Sequence, residues 1–222
     1  MSYRREWVRA LPIAVVTLLA GLHAGPPAHA ARREPVILVH GWNGEPGQFA
    51  RMKAALKRAG HPAYAIDLPG EENIANAEAI AKLVARVRRK HGGGKISIVG
   101  HSMGGLSARH YLKFLGGAGE TRSYVSMGTG QRGYAPACLL PSEQGGQMCP
   151  TGGFIRRLNS GDPTPGPVRY TLLASSLDET RDDTIDGVWC GAEFAGVRHA
   201  DEPRTRVFID AVLSALDGRC PS

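Results

Sequence analysis

Apolar positions recur along the chain in two patterns that alternate. Pro35 to Val39 (PVILV) is apolar at every position, Ile96 to Val99 is a run of β-formers with a single serine, and Val168 to Ala174 is again largely apolar. Short continuous runs of this kind suit strands buried on both faces, as in a parallel sheet covered by helices. Between them the spacing changes to three and four. Phe49, Met52 and Leu56 lead to about Gly60, and Ile80, Val84 and Val87 lead to His91, where Gly92-Gly93-Gly94 stops the helix. Ala63 to Leu68, closed by Pro69-Gly70, reads as a second strand. Leu106 to Leu115 reads as a helix, Ser123 to Met127 as a strand, and Ala192 to Val197 as a last short strand. A terminal helix turns Phe208, Val212 and Leu213 inward. From Gly128 to Pro167 the chain is rich in Gly and Pro, with one helical turn near Phe154 to Leu158. The alternation predicts an α/β fold, a three-layer, doubly wound and mostly parallel sheet of about six strands in one domain.

The N-terminus falls outside this pattern. Arg4, Arg5 and Arg9 precede an apolar run from Leu11 to Leu22, and Ala28-His29-Ala30 offers a small-residue cleavage site. This is the form of a secretory signal peptide, and the run is well short of the roughly 20 residues a membrane span needs. Residues 1–30 are therefore expected to be a signal peptide and residues 31–222 the folded domain, secreted and without a transmembrane anchor.

Charge and cysteine usage refine the picture. The net charge of +7 includes three Arg and one Glu of the leader, which leaves about +5 for the rest. The basic residues Lys53, Lys57, Arg58, Arg86, Arg88, Arg89 and Lys90 lie in helices without aromatic interleaving, which argues for a solvated face and against a nucleic-acid partner. Contact with an anionic lipid surface would be transient and nonspecific. Cys138, Cys149, Cys190 and Cys220 form an even set with no C-x-x-C pair, which suits two disulfides in an oxidising compartment. Of the three pairings, Cys138 with Cys149 and Cys190 with Cys220 is favoured. The first pair brackets one loop and the second pins the tail.

The candidate chemistry begins at Gly100-His101-Ser102-Met103-Gly104, a G-x-S-x-G between a strand and a helix. A serine at such an elbow sits at strained angles above the sheet, and glycine on either side avoids the collision where strand and helix pass closest. In open parallel sheets the site lies at the carboxyl ends of the strands, so a base should come from a loop after a later strand. Elimination leaves one histidine. His23 and His29 leave with the leader, and His40, His61 and His91 precede the elbow. His101 adjoins the serine, and no acid lies between Ser102 and His110. The chain order serine, acid, histidine therefore selects His199. Asp178, four residues past Ala174, is the best-placed acid. Asp182, Asp183 and Asp186 occupy the same interval, and the cluster alternatively suits a weak calcium site or a solvated loop. Oxyanion donors are expected from the backbone N–H groups of Met103 and of Trp42, the latter in the tight turn permitted by Gly41.

Together VILVHGWNG, IDLPG, ISIVGHSMGG, YTLLASSLD and GVRHAD resemble the α/β-hydrolase family, and within it the small secreted bacterial lipases and esterases. The resemblance implies Ser102 as nucleophile, Asp178 as triad acid, His199 as base and Trp42 and Met103 as the oxyanion hole. It implies hydrolysis of carboxylic esters through an acyl-enzyme, an acyl ester or lipid as substrate, and neither metal nor organic cofactor. A monomer is expected. An acyltransferase or thioesterase on the same scaffold is the alternative enzyme, and a noncatalytic secreted binding module the alternative of another class. The stretch between Met127 and Val168 is longer than in compact relatives and carries two cysteines, which bears on the shape of the substrate pocket.

Overall fold

The computed structural model describes residues 33–178 and 184–222, all within one unit, Arg32–Ser222. The expected leader, with His23 and His29, lies outside the described residues, as do Asp182 and Asp183. Six strands form one sheet: β1 (Val36–Val39), β2 (Ala63–Ala65), β3 (Ile96–His101), β4 (Thr121–Met127), β5 (Arg169–Ser175) and β6 (Cys190–Phe194). Their order is β2-β1-β3-β4-β5-β6, and every neighbouring pair is parallel. Parallel neighbours require crossovers. These contain α1 (Ala50–Arg58), α2 (Asn73–Lys90), α3 (Met103–Phe114), the single turn α4 (Gly117–Glu120) and α5 (Gly153–Asn159), and α6 (Arg206–Leu216) follows the last strand. Among the described residues no helix is long and apolar enough to cross a membrane.

The continuous apolar runs are explained by two cores, one on each face of the sheet. On one face Ile37, Val39, Ile96 and Ile98 pack with Ile80, Val84, Leu106 and Leu112 of α2 and α3. On the other, Val36, Leu38, Val99 and Met127 pack with Met52, Leu56, Phe208 and Val212 of α1 and α6. Successive residues of β1 alternate between the two cores, and all four are fully buried. Burying each such side chain contributes roughly 1.5 to 3 kcal/mol.

Among the boundaries that differ from the sequence reading, two have a clear physical cause. The strand expected over Ala63 to Leu68 leaves the ladder after Ala65. Ile66 still donates its N–H to Leu38 O (3.0 Å), but β1 then ends, and the N–H of Leu68 goes to His40 Nε2 (3.1 Å) instead. The last strand lies earlier than Ala192 to Val197, at Cys190–Phe194, because Gly196 at φ 74° turns the chain out of the sheet. The cysteines form two disulfides, Cys138–Cys149 and Cys190–Cys220.

Candidate active site

The turn expected to be a nucleophile elbow forms where β3 meets α3. Ser102 has φ 54° and ψ −129°, a conformation that a residue with a Cβ adopts only under strain. Its neighbours show why they are glycine. A Cβ on Gly100 would lie 2.6 Å from Gly105 Cα, and one on Gly104 would lie 2.3 Å from His40 O. The strand and helix therefore approach backbone to backbone, as a G-x-S-x-G requires. Three hydrogen bonds hold the strained residue: Ser102 N–H donates to Met127 O (2.9 Å), and Ser102 O accepts from Gly105 N–H (3.0 Å) and the Thr129 hydroxyl (3.0 Å).

The turn after β1 faces the elbow. A Cβ on Gly41 would lie 2.7 Å from Ser102 Cβ and 3.3 Å from its Oγ, so glycine there keeps the approach to the hydroxyl open. His40, buried beneath, donates from Nδ1 to Gly41 O (3.0 Å) while its Nε2 accepts from Leu68, which fixes its tautomer and ties the turn to the chain after β2. Asn43 at φ 50° and a bond from Gly44 N–H to Gly41 O (3.0 Å) close the turn. Trp42 stands half-exposed on its rim.

Asp178 and His199 come from the loops after β5 and β6, and the sequence brings them together through two serines. The Ser175 hydroxyl donates to Val197 O and accepts from the N–H groups of Val197 (3.1 Å) and Leu177 (3.3 Å). The Ser176 hydroxyl accepts from Gly196 N–H (3.1 Å), and its own N–H donates to Phe194 O (2.9 Å). The two loops are thereby laced into one piece. At its end His199 Nδ1 donates to Asp178 Oδ2 at 2.7 Å. Asp178 is buried, while the His199 side chain is 42% exposed and opens onto a cavity. Asp186, the other described acid of that interval, is exposed.

The cavity, of about 290 Å³, is lined by Ser102, Met103, Trp42, Asp178 and His199 together with Leu106, Gly128, Tyr134, Met148 and Leu177. Apart from Ser102, Asp178 and His199 its lining is mostly apolar side chains and glycine, which suits an uncharged substrate with a hydrocarbon part. The hydroxyl of Ser102 and the ring of His199 share this space without a hydrogen bond between them, a contact that commonly tightens only around a substrate. The wall carrying Tyr134 and Met148 is the cysteine-bearing segment. Tyr134 N–H donates to Met148 O (2.7 Å), and the Cys138–Cys149 bridge closes the same loop.

Two further residues stand behind His199 that sequence reasoning did not single out for the site. His101 is buried and its ring lies 4.6 Å from the His199 ring. The amide of Gln48 donates to its Nδ1 (3.2 Å), so Nε2 carries the hydrogen and donates to His199 O (3.0 Å). Burial, and then the charge of His199, lower its pKa to about 3, so it stays neutral. Glu202, in the 3-10 turn His199–Arg204, is fully buried, and its pKa is raised to about 9 by burial, then by the charge of Asp178 and a hydrogen bond to it. The only sequence signal for Glu202 is its position three residues after His199. His101, His199 and Glu202 are the one group among the described residues with ligand atoms close enough to hold a metal, within 4.8 Å of one another. Both nitrogens of His101 and Nδ1 of His199 already have protein partners.

Residues 36–218 match the model of the alpha/beta hydrolase family. The chain belongs to that family. This alpha/beta hydrolase is similar in fold to Bacillus licheniformis lipase BlEst2 in its mature form, with 16% identity, a TM-score of 0.73, and coverage of 86% of this chain and 96% of the other. It is similar also to Aspergillus fumigatus lipase B at 17% identity and a TM-score of 0.70, covering 85% of this chain and 54% of that one. The metagenomic carboxyl esterase MGS0156 shows 20% identity and a TM-score of 0.56 over 71% of this chain and 56% of its own. The hydrolase thus spans the bacterial lipase nearly whole but only about half the length of the fungal one.

Proposed function

We propose that this alpha/beta hydrolase is a secreted carboxylic ester hydrolase working through Ser102, His199 and Asp178. The observation that carries the reading is the 2.7 Å bond between His199 Nδ1 and the buried Asp178, at a cavity that also receives a serine held in a strained elbow. With Nδ1 as donor, the ring's other nitrogen is a base on the cavity side. The likeness in fold to two lipases and a carboxyl esterase adds support for the class of reaction. The two disulfides are compatible with an oxidising compartment and so with secretion.

Ser102 Oγ attacks the ester carbonyl as His199 Nε2 takes its proton. Asp178 stays ionised and holds the imidazolium that forms. The N–H groups of Trp42 and Met103, at the turn after β1 and the first residue of α3, stabilise the oxyanion without reorganising. The tetrahedral intermediate collapses, the alcohol leaves with the proton returned by His199, and an acyl-serine remains. Water, deprotonated by His199, attacks the acyl group and restores the serine. Ser102→Ala is expected to lower turnover of a p-nitrophenyl ester by about 10⁴-fold or more while the melting profile stays cooperative. Near-normal turnover by the folded variant would exclude the mechanism.

A further inference from the structure

Glu202 is a buried carboxyl group with no Lys or Arg paired to it among the described residues. Neither of its oxygens accepts a hydrogen bond from any described donor. The nearest ring nitrogens are His101 Nε2 at 3.6 Å and His199 Nδ1 at 3.9 Å, and both direct their hydrogens elsewhere, to His199 O and to Asp178. Its other near neighbour is the Asp178 carboxyl, which shares with it the space over Gly128. Glu202 Oε2, Asp178 Oδ2 and His199 Nδ1 crowd one face of Gly128, at 2.3, 2.5 and 2.7 Å from the point where a Cβ would stand. Two carboxylates in such contact, sealed from water, cannot both be charged, so one proton must lie between them. Asp178 is accepting the Nδ1 hydrogen of His199, which leaves Glu202 as the protonated partner.

We propose that Glu202 is a positioning residue that acts as a neutral carboxylic acid, donating a hydrogen bond to Asp178 and fixing that carboxylate toward His199. The proposal rests on the Ser102, His199 and Asp178 reading given above. The proton stays on Glu202 through turnover. His199 then faces one anion and not two, which keeps its conjugate acid strong enough to return the serine's proton to the leaving alcohol. The same backing extends to His101, whose neutral ring packs on the far face of His199 and bonds its carbonyl, so the base is braced from behind as well as through Asp178.

Among the described residues the charged and titratable groups around Glu202 are few. The loop after β5 contributes Asp178, the end of β3 contributes His101, and the turn itself contributes His199 and Arg204, the latter acting on His101. The 3-10 turn Pro46–Phe49 contributes the neutral Gln48, which bonds His101. The pH profile of kcat/KM therefore reports on this cluster.

The test compares Glu202→Gln and Glu202→Ala with the parent enzyme, measuring kcat and KM for a soluble p-nitrophenyl ester from pH 5 to 10 beside thermal melts. Glutamine keeps the donor without a charge. It is expected to retain kcat within about threefold, to leave the acid limb of kcat/KM within about 0.3 units of the parent, and to abolish any alkaline limb near pH 9. Alanine removes the donor and is expected to lower kcat about tenfold or more with little change in KM. An acid limb that falls by a full unit or more in Glu202→Gln would mean that an anion had been removed, and would overturn the proposal. So would a folded Glu202→Ala with parental kcat and profile, or an alanine defect that glutamine fails to rescue. If the alanine variant does not fold, the glutamine profile alone decides. Failure here with an inactive Ser102→Ala leaves the triad reading standing, whereas an active Ser102→Ala removes both.

Discussion

Gly128→Ala should uncouple turnover from stability. Gly128 follows β4 at φ 53°, a left-handed conformation that costs an alanine about 1 to 2 kcal/mol. For a domain of this size that corresponds to a fall in Tm of roughly 2 to 8 °C. The second effect is local. The new Cβ would stand 2.3 to 2.7 Å from Glu202 Oε2, Asp178 Oδ2 and His199 Nδ1, all of them the ends of side chains that can shift aside. Their displacement by about 1 Å is enough to lower kcat about 10²-fold. Gly93→Ala supplies the control, since Gly93 has φ 80° with nothing within 4 Å of its Cβ position. It should show a comparable loss of Tm with parental kcat. The assay is kcat and KM on a short p-nitrophenyl ester with melts of both variants. A folded Gly128→Ala with kcat within threefold of the parent would refute the argument that these three side chains must meet where they do.

Asp178→Asn is expected to lower turnover by at least about 10²-fold in the same assay, while Asn at Asp182, Asp183 or Asp186 changes it less than about tenfold. The reverse ranking would move the triad acid along the loop. Chain-length preference follows from the cavity wall: among the described residues between Gly128 and Pro167 the longest helix is α5, with seven residues, and the rest is turns stapled by a disulfide. Short and medium acyl esters should be cleaved at least as readily as long ones, with no sharp rise in rate above a substrate's solubility limit. Such a rise, measured on an ester series from two to sixteen carbons, would show that a mobile cover exists after all.

What could be read in the sequence was whatever local geometry imposes on residue type. Gly100 and Gly104 had to be glycine because helix and strand pass backbone to backbone there, so the elbow announces itself over five residues. Val36 to Val39 had to be apolar throughout because the sheet is covered on both faces. Chain order then singled out His199, and closeness to the end of the strand favoured Asp178; the fold brings the two within 2.7 Å of each other. Harder to read were contacts made only by the sheet order. His101 meets His199 across 98 positions because the ends of β3 and the loop after β6 open on the same edge, and nothing near either residue signals it. Ser175 and Ser176 look like ordinary polar residues at a strand end until the neighbouring loop is beside them. Glu202 resembles a solvated acid in a helical turn, and its meaning depends on being fully buried.

The strain at Ser102 has a consequence for the protein as a whole. A conformation that glycine adopts freely is forced on a serine, at a cost of order 1 to 3 kcal/mol, and it is held there by Gly105, Thr129, Met127 and two closely packed backbones. The fold therefore carries the residue at the tip of its elbow as a load, and Ser102→Gly should melt higher than the parent, whereas Ser102→Ala keeps the strain. A chain selected for stability alone would carry glycine at position 102.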